Sequence, residues 1–242
     1  MERMARELTG QVAIVTGAGR GIGRTIAEAL AAAGASVSIV ARTTDQLQET
    51  ATAISKSGGR ALVTTADVTD ASAITRAVVE TEHAFGPISL LVNNAGTPGP
   101  VGPDWEVNAD EWWECIEVSV RGAFLFSQAV LPGMIDRQTG RIVNMASATG
   151  IAPRPYITAT SVAKTAIIRL SEGLAEAAKD TGVTVFAIHP GLVRTDLTEA
   201  YLEAPATEQW MPAFKHTPDM AWVSPAVPVI LWFGLHGENV ML

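Results

Sequence analysis

Short β-branched runs alternate with longer amphipathic runs along most of the chain, and this alternation constrains the fold more than any single residue does. The β-branched runs fall at residues 12–16, 37–41, 61–65, 90–93, 141–145 and 183–188. Between them, apolar residues recur at helical spacing over residues 22–33, 45–57, 71–85, 111–131 and from about 158 to 179. Strand–helix–strand repeats of this kind predict βαβ units around a parallel sheet. Gly34, Gly58, Gly86 and Gly182 stand at the helix ends, where a left-handed residue closes a helix cheaply. The expected fold class is α/β, a doubly wound parallel sheet with helices on both faces. No internal repeat or linker divides the chain, so residues 1–242 read as a single domain.

Composition narrows the partners. Hydrophobic residues make up 48% of the chain, enough for a sizeable core, and a formal net charge of -8 argues against a nucleic-acid surface. Cys115 is the only cysteine, which excludes an internal disulfide framework and suits a reducing compartment. Residues 1–10 carry Glu2, Arg3, Arg6 and Glu7 without an apolar stretch, and no apolar run reaches the roughly 18 residues of a spanning helix. The run at 227–235 is too short. The expectation is a cytoplasmic protein with no nucleic-acid or membrane partner.

The segment 196–224 reads differently from the rest. It sets Tyr201, Trp210, Met211, Phe214 and Trp222 among prolines with weak periodicity. Two readings stand side by side: a lid or substrate wall, and an ordinary packed excursion or subunit contact. Ser224-Pro225 then has the form of a helix N-cap followed by proline in the first turn, and a few residues after Gly237 remain for a final strand.

Thr16-Gly17-Ala18-Gly19-Arg20-Gly21-Ile22-Gly23 joins the first strand to the first helix. Glycines here allow a tight turn, a close backbone approach by a pyrophosphate and close helix–strand packing. The helix N-terminus adds free N–H groups and partial positive charge. The turn predicts a dinucleotide site.

This octet, together with Asn93-Asn94-Ala95-Gly96 after the fourth strand, Lys164, and Pro190-Gly191 after the sixth, resembles the short-chain dehydrogenase/reductase family over nearly the whole chain. The resemblance implies a Rossmann-type sheet of about seven strands and a nicotinamide dinucleotide as cofactor. It implies that Asp67, in Ala66-Asp67-Val68, meets the adenine, and that Asn93, Ala95 and Gly96 line the adenine ribose and support the sheet. It places Pro190, Gly191 and Val193 around the nicotinamide, with Thr195 near the carboxamide or pyrophosphate. Plain structural roles also fit: a turn cap for Asp67, and sheet-end hydrogen bonding for Asn93 and Asn94. At the end of the second strand stands Ala41-Arg42-Thr43 with no carboxylate before Asp45, and Arg20 adds positive charge nearby. That charge favours NADP(H) over NAD(H). Family members commonly form homodimers or homotetramers through two long helices, here 111–131 and 158–179.

The resemblance also implies a catalytic set, and here the pattern breaks. Ser147 and Lys164 occupy the serine and lysine positions. The tyrosine position, four residues before Lys164, holds Thr160, and the asparagine position holds Ser119. An aliphatic hydroxyl is a far weaker acid than a phenol, whose pKa is near 10, so proton transfer to a substrate oxygen should be slowed. Tyr156 lies one helical turn before Thr160, but Pro153 and Pro155 put it at the helix start, where it fits a pocket-lining aromatic better than a substitute acid. Cys115 and Met145 read as core or pocket lining, His189 as a strand-end residue, and no cluster has metal-ligand spacing. Trp105, Trp112 and Trp113 fit a substrate wall or a helix-docking cluster. Three functions follow: an oxidoreductase on a hydrophobic carbonyl or secondary alcohol with altered acid–base chemistry, a non-redox cyclase, isomerase or lyase on the same scaffold, and a catalytically silent binding subunit.

Overall fold

The computed structural model describes residues 7–215. Six parallel strands form one sheet in the order β3-β2-β1-β4-β5-β6: β1 Val12–Thr16, β2 Ser36–Ala41, β3 Arg60–Thr65, β4 Leu90–Asn93, β5 Gly140–Met145 and β6 Val183–Ile188. The order reverses direction between β1 and β4, which pair through Ala13–Leu90 and Val15–Val92. A crevice opens at such a reversal, outside the carboxyl ends of the strands, and ligands bind there. The expected final strand and the 224–228 helix start lie outside the described residues.

Alternation along each strand sends side chains to opposite faces, and helices cover both. Ala13 and Val15 of β1 pack with Ile26 and Leu30 of α1 (Gly21–Ala32) and with Leu47 and Ile54 of α2 (Thr44–Lys56). Val12 and Ile14 face the other way, against Ile74 of α3 (Ala71–Phe85) and Phe126 and Val130 of α5 (Gly122–Asp136). Burying about 25 cal/mol per Å² of apolar surface on each face ties the layers together.

Two elements depart from expectation. The helix anticipated over 111–131 begins at α4 (Ala109–Ile116), where the Asn108 side chain accepts from Asp110 N at 2.8 Å and Glu111 N at 3.0 Å. It passes through one wide π turn, Glu117–Arg121, and continues as α5 through Pro132 to Asp136. A proline inside a helix is unfavourable by about 3 kcal/mol, yet Met134, beyond it, is fully buried against the sheet. Tertiary burial overrides the local preference. The whole run Ala109–Asp136 is long and apolar enough by composition to cross a membrane, although polar residues interrupt it; Phe126, Val130 and Met134 are spent on the sheet.

The described part of the irregular-looking segment is also helical, as α7 (Asp196–Glu203), α8 (Pro205–Trp210) and α9 (Pro212–Lys215). Each is too short to show a clear period. The local signals were caps: Thr195 and Thr198 form a reciprocal capping box on α7, and Pro205 opens α8 at its first position. Trp222 and the rest of 216–224 lie outside the described residues. The long helix α6 (Thr158–Ala177) starts where the sequence suggested.

Candidate active site

The glycine turn sits at the β1–β4 reversal. Arg20 is the N-cap of α1, but no side chain caps that helix and no acidic residue lies in its first turn. Its leading N–H groups therefore face the crevice unclaimed by side chains, a setting that favours an anion. Gly21 has φ +54, a conformation that suits glycine, and a Cβ there would meet the Thr195 methyl at 3.3 Å. A Cβ at Gly23 would collide with the Gly17 carbonyl and with Asn94. Gly17 and Gly23 are closed in by Asn94, and Thr195 stands in van der Waals range of Gly21; glycines at these positions and a helix N-terminus without a side-chain cap suit a pyrophosphate. Ile22 stands half-buried beside it, and Gly19 packs on Gln46 of α2.

Thr16 clamps this turn to the segment after β4. Its Oγ1 accepts from Asn94 N and Ala95 N, both at 3.0 Å, while Asn94 Nδ2 donates to Thr16 O at 2.9 Å. Asn93 points the other way, into a buried network: its Nδ2 donates to Asn144 Oδ1 at 2.8 Å, and Asn144 Nδ2 donates to Ser171 Oγ of α6 at 2.8 Å. Gly96 is exposed at the crevice, where a Cβ would meet only Ser119 Oγ within van der Waals range apart from the Asn94 carbonyl.

Asp67 divides its carboxylate. Oδ1 accepts from Thr69 N at 2.8 Å and Thr69 Oγ1 at 2.7 Å, which is a turn cap, while Oδ2 lies 3.9 Å from Arg42 Nη1. Both partners of that pair are substantially exposed, so it contributes little by itself. Val68 is buried beneath, packed against Gly122. Arg20 and Arg42 both present exposed guanidinium groups. After β6, Pro190 and Gly191 form the loop at the sheet end, Val193 is buried, and Thr195 caps α7 as it faces Gly21.

The four residues expected at the catalytic positions come from three places in the fold: α6, the segment after β5 and the π turn. Lys164, on α6, donates from Nζ to the Met145 carbonyl at the end of β5 at 2.6 Å. Burial pulls its ammonium down to about 8, and nearby Cys115 partly opposes this. Ser147 follows β5, half-buried, and its Oγ accepts from Thr149 N at 3.2 Å. Thr160, on α6, donates from Oγ1 to the Pro98 carbonyl. Ser119 lies in the π turn, 4% exposed, with no well-formed hydrogen bond to its hydroxyl. A π turn rotates one residue relative to a regular helix, and such turns recur at functional sites.

Tyr156 is not with them. It has φ +67, its carbonyl accepts from Gly102 N at 2.9 Å, and its ring lies 5.2 Å from that of Trp210 on α8. It anchors the 102–107 loop and α8 to each other. The group that sequence reasoning passed over is Cys115. It is 1% exposed, donates to Thr97 O at 3.1 Å and packs with Ala159 and Ala163 of α6; burial pushes its thiol up, and the Lys164 ammonium acts against that rise. The available signal was its i,i+4 spacing to Ser119, which puts both on one helix face. Trp112 is likewise tied in, donating from Nε1 to Thr158 Oγ1 at 3.0 Å.

A carbonyl oxygen placed here would have hydroxyls and an ammonium at the ends of β4 and β5, next to the uncapped N-terminus of α1. Comparison with known proteins agrees. The chain is 35% identical over 195 residues to an uncharacterized oxidoreductase of Staphylococcus aureus, covering 80% of this chain and 83% of that one. It is 39% identical over 198 residues to a short chain dehydrogenase of Pseudocercospora fijiensis, covering 81% of this chain but only 64% of that protein's length. Among solved structures, levodione reductase superposes with a TM-score of 0.85 at 28% identity, covering 94% of this chain and 91% of its own. NAD+-bound xylitol dehydrogenase superposes with a TM-score of 0.80 at 32% identity, covering 84% and 78%. The short chain dehydrogenase family matches residues 11–206, and this chain belongs to that family.

Proposed function

We propose that this protein is an NADP(H)-dependent oxidoreductase that interconverts a hydrophobic ketone and its secondary alcohol, with a proton-transfer step weakened by Thr160 and Ser119 at the tyrosine and asparagine positions. The observation that carries the proposal is the N-terminus of α1, which no side chain caps, beside Thr195 at the strand-order reversal, with Lys164 and Ser147 at the neighbouring strand end. Bound there, the cofactor would supply or accept the hydride. The first turn of α1 and Thr195 would hold its pyrophosphate, and the 190–193 loop would shield the nicotinamide. Lys164, charged below about 8, would hold the ribose and lower the charge built on the substrate oxygen. Ser147 would donate its hydroxyl proton to that oxygen while its Oγ accepts from Thr149 N.

Arg42 and Arg20 support the choice of NADP(H): a 2′-phosphate would meet Arg42 in place of its long contact to Asp67. A hydrophobic substrate is supported by the aromatic pairs Tyr156–Trp210 and Tyr201–Phe214 that the α7–α9 segment contributes. A cytoplasmic location goes with the single free cysteine. We place a homodimer or homotetramer contact on the outer faces of α5 and α6, where Phe124, Ile135 and Val162 are 43%, 39% and 46% exposed.

The test is thermal melting with NADPH and NADH, followed by cofactor absorbance during incubation with bulky ketones. A larger melting shift with NADPH, with oxidation of it by at least one ketone, is the expected result. No shift with either dinucleotide would overturn the proposal, whereas product formation without any change in cofactor redox state would replace it with a non-redox activity.

A further inference from the structure

Two hydrogen bonds lay the loop after β4 along the start of α6. Thr160 donates to the Pro98 carbonyl, and Gly102 N donates to the Tyr156 carbonyl at 2.9 Å. Between them the loop is pressed onto the helix, since a Cβ at Gly99 would lie only 2.8 Å from Ala159 Cβ. Thr158 adds a third tie, donating to Asp104 and accepting from Trp112 Nε1 at 3.0 Å. The stretch from Pro98 to Gly102 therefore leads from the Thr160 position to Tyr156.

Against the Tyr156 ring stands Trp210, at the last position of α8, with ring centroids 5.2 Å apart and planes tilted by 37°. The pyrrole edge of the indole rests over Gly102, where a Cβ would lie 3.9 Å from Nε1. Trp210 is fixed from the cofactor side of the crevice: Thr195, which faces Gly21, caps α7, and Thr207 of α8 donates to the Tyr201 carbonyl of α7 at 2.6 Å. Tyr156 is held less firmly. It follows a run of exposed residues, Ile151 to Pro155, and its φ of +67 is a conformation that a bulky L-residue keeps only while its surroundings impose it. A well-supported indole thus carries a strained, removable ring.

We propose that Trp210 is the seat for an aryl ring of the substrate, and that Tyr156 occupies this seat until the substrate displaces it. The proposal rests on the oxidoreductase reading and deepens it, naming aryl ketones and their alcohols as the substrate class. Flat rings pair with one another in tilted or offset geometry at roughly 4.5–7 Å between centroids, and Tyr156 already shows that geometry on Trp210. An arriving aryl ring replaces one aromatic contact with another, and Tyr156 is freed to leave its left-handed conformation. A puckered aliphatic ring or an open chain offers no such face. The loop from Gly102 back to Pro98 lines the way from the seated ring to the Thr160 position.

Calorimetric titration of the protein in saturating NADP+ measures ketone binding without hydride transfer, because the oxidised cofactor has no hydride to give. Wild type should bind acetophenone and 2-acetylnaphthalene more tightly than cyclohexyl methyl ketone, whose ring is not flat. Trp210→Leu should weaken the aryl ketones alone, by roughly threefold to tenfold. Trp210→Phe should keep the preference, which separates loss of the seat from misfolding. Tyr156→Gly and Tyr156→Asn both tolerate a positive φ. They should tighten aryl-ketone binding by roughly threefold, a direction that loss of a merely structural contact does not produce. In turnover with NADPH the same changes should appear in KM, with kcat unchanged. The seat is wrong if wild type shows no aryl preference, if Trp210→Leu keeps it, if Trp210→Phe loses it, or if removing the Tyr156 ring weakens the aryl ketones. If the binding pattern holds while no ketone oxidises NADPH, the oxidoreductase reading fails and the seat stands as a binding site. If ketones oxidise NADPH with no aryl preference, the seat fails and the oxidoreductase reading stands.

Discussion

Thr160 and Lys164 stand on one face of α6, four residues apart, and face different backbone carbonyls, Pro98 and Met145. The first contact ties the hydroxyl at the tyrosine position to the backbone. Replacing Thr160 with tyrosine would place a phenol within the influence of the Lys164 ammonium, which lowers a phenol's pKa. Thr160→Tyr is expected to raise kcat for a ketone roughly tenfold or more, read from cofactor oxidation; no rise would mean that the remaining groups are not arranged for reduction. Lys164 also carries a stability consequence. Its folded pKa of about 8 lies below the free value of 10.5, so between those values the unfolded chain holds more protons and stability rises with pH. Below about 8 the desolvation cost is fully present. Lys164→Met should therefore stabilise the fold at neutral pH by on the order of 2 kcal/mol, with the gain shrinking as pH climbs toward the free value. Melting curves at several pH values check this, and a gain that grows with pH would contradict it.

At the scale of elements, the helix from Ala109 to Asp136 delivers both Cys115 and Ser119, and its start depends on the Asn108 cap. Asn108→Ala is expected to lower stability by about 1 kcal/mol in denaturant titrations while leaving the NADPH-induced melting shift intact, because the Asn108 side chain bonds the first turn of its own helix, at Asp110 N and Glu111 N. The sheet and α6 are held in register by the Asn93–Asn144–Ser171 network, whose members are 6%, 0% and 3% exposed. Breaking it strands buried donors and acceptors. Asn144→Ala should cost about 3 kcal/mol, and since β5 and α6 carry Ser147, Thr160 and Lys164, activity should fall at temperatures where the fold is still intact. Unchanged denaturation midpoints would show that the network is dispensable.

For the molecule as a whole, the outer surface of α6 and the 149–153 turn forms a shallow hollow lined by Ile151, Pro153, Val162 and Ala166, with Ile151 76% exposed. The proposed subunit contact would cover this hollow along with Phe124. Phe124→Glu combined with Val162→Glu should convert an oligomer to a monomer in sedimentation at unchanged helical content. An unchanged sedimentation coefficient would move the contact elsewhere.

The alternation of strand and helix was legible because the signal is repeated: each of the six strand runs among the described residues was placed to within a residue, and the parallel sheet follows from crossover length alone. The glycine turn was legible for the same local reason, since backbone conformation and close approach are properties of a few consecutive residues. Three features were not. Helix α5 runs past Pro132 because Met134 has a place under the sheet, and no local rule weighs that burial. The aromatic segment is helical through caps at Thr195 and Pro205, yet Tyr156 joins it only through the Trp210 ring. Cys115 looked like ordinary core from its sequence neighbours. Only the folding of α4, α6 and the 97–99 loop onto one another buries its sulfur against Ala159, Ala163 and the Thr97 carbonyl with Lys164 near enough to act on it, because the neighbours that decide a side chain's chemistry there lie far away in sequence.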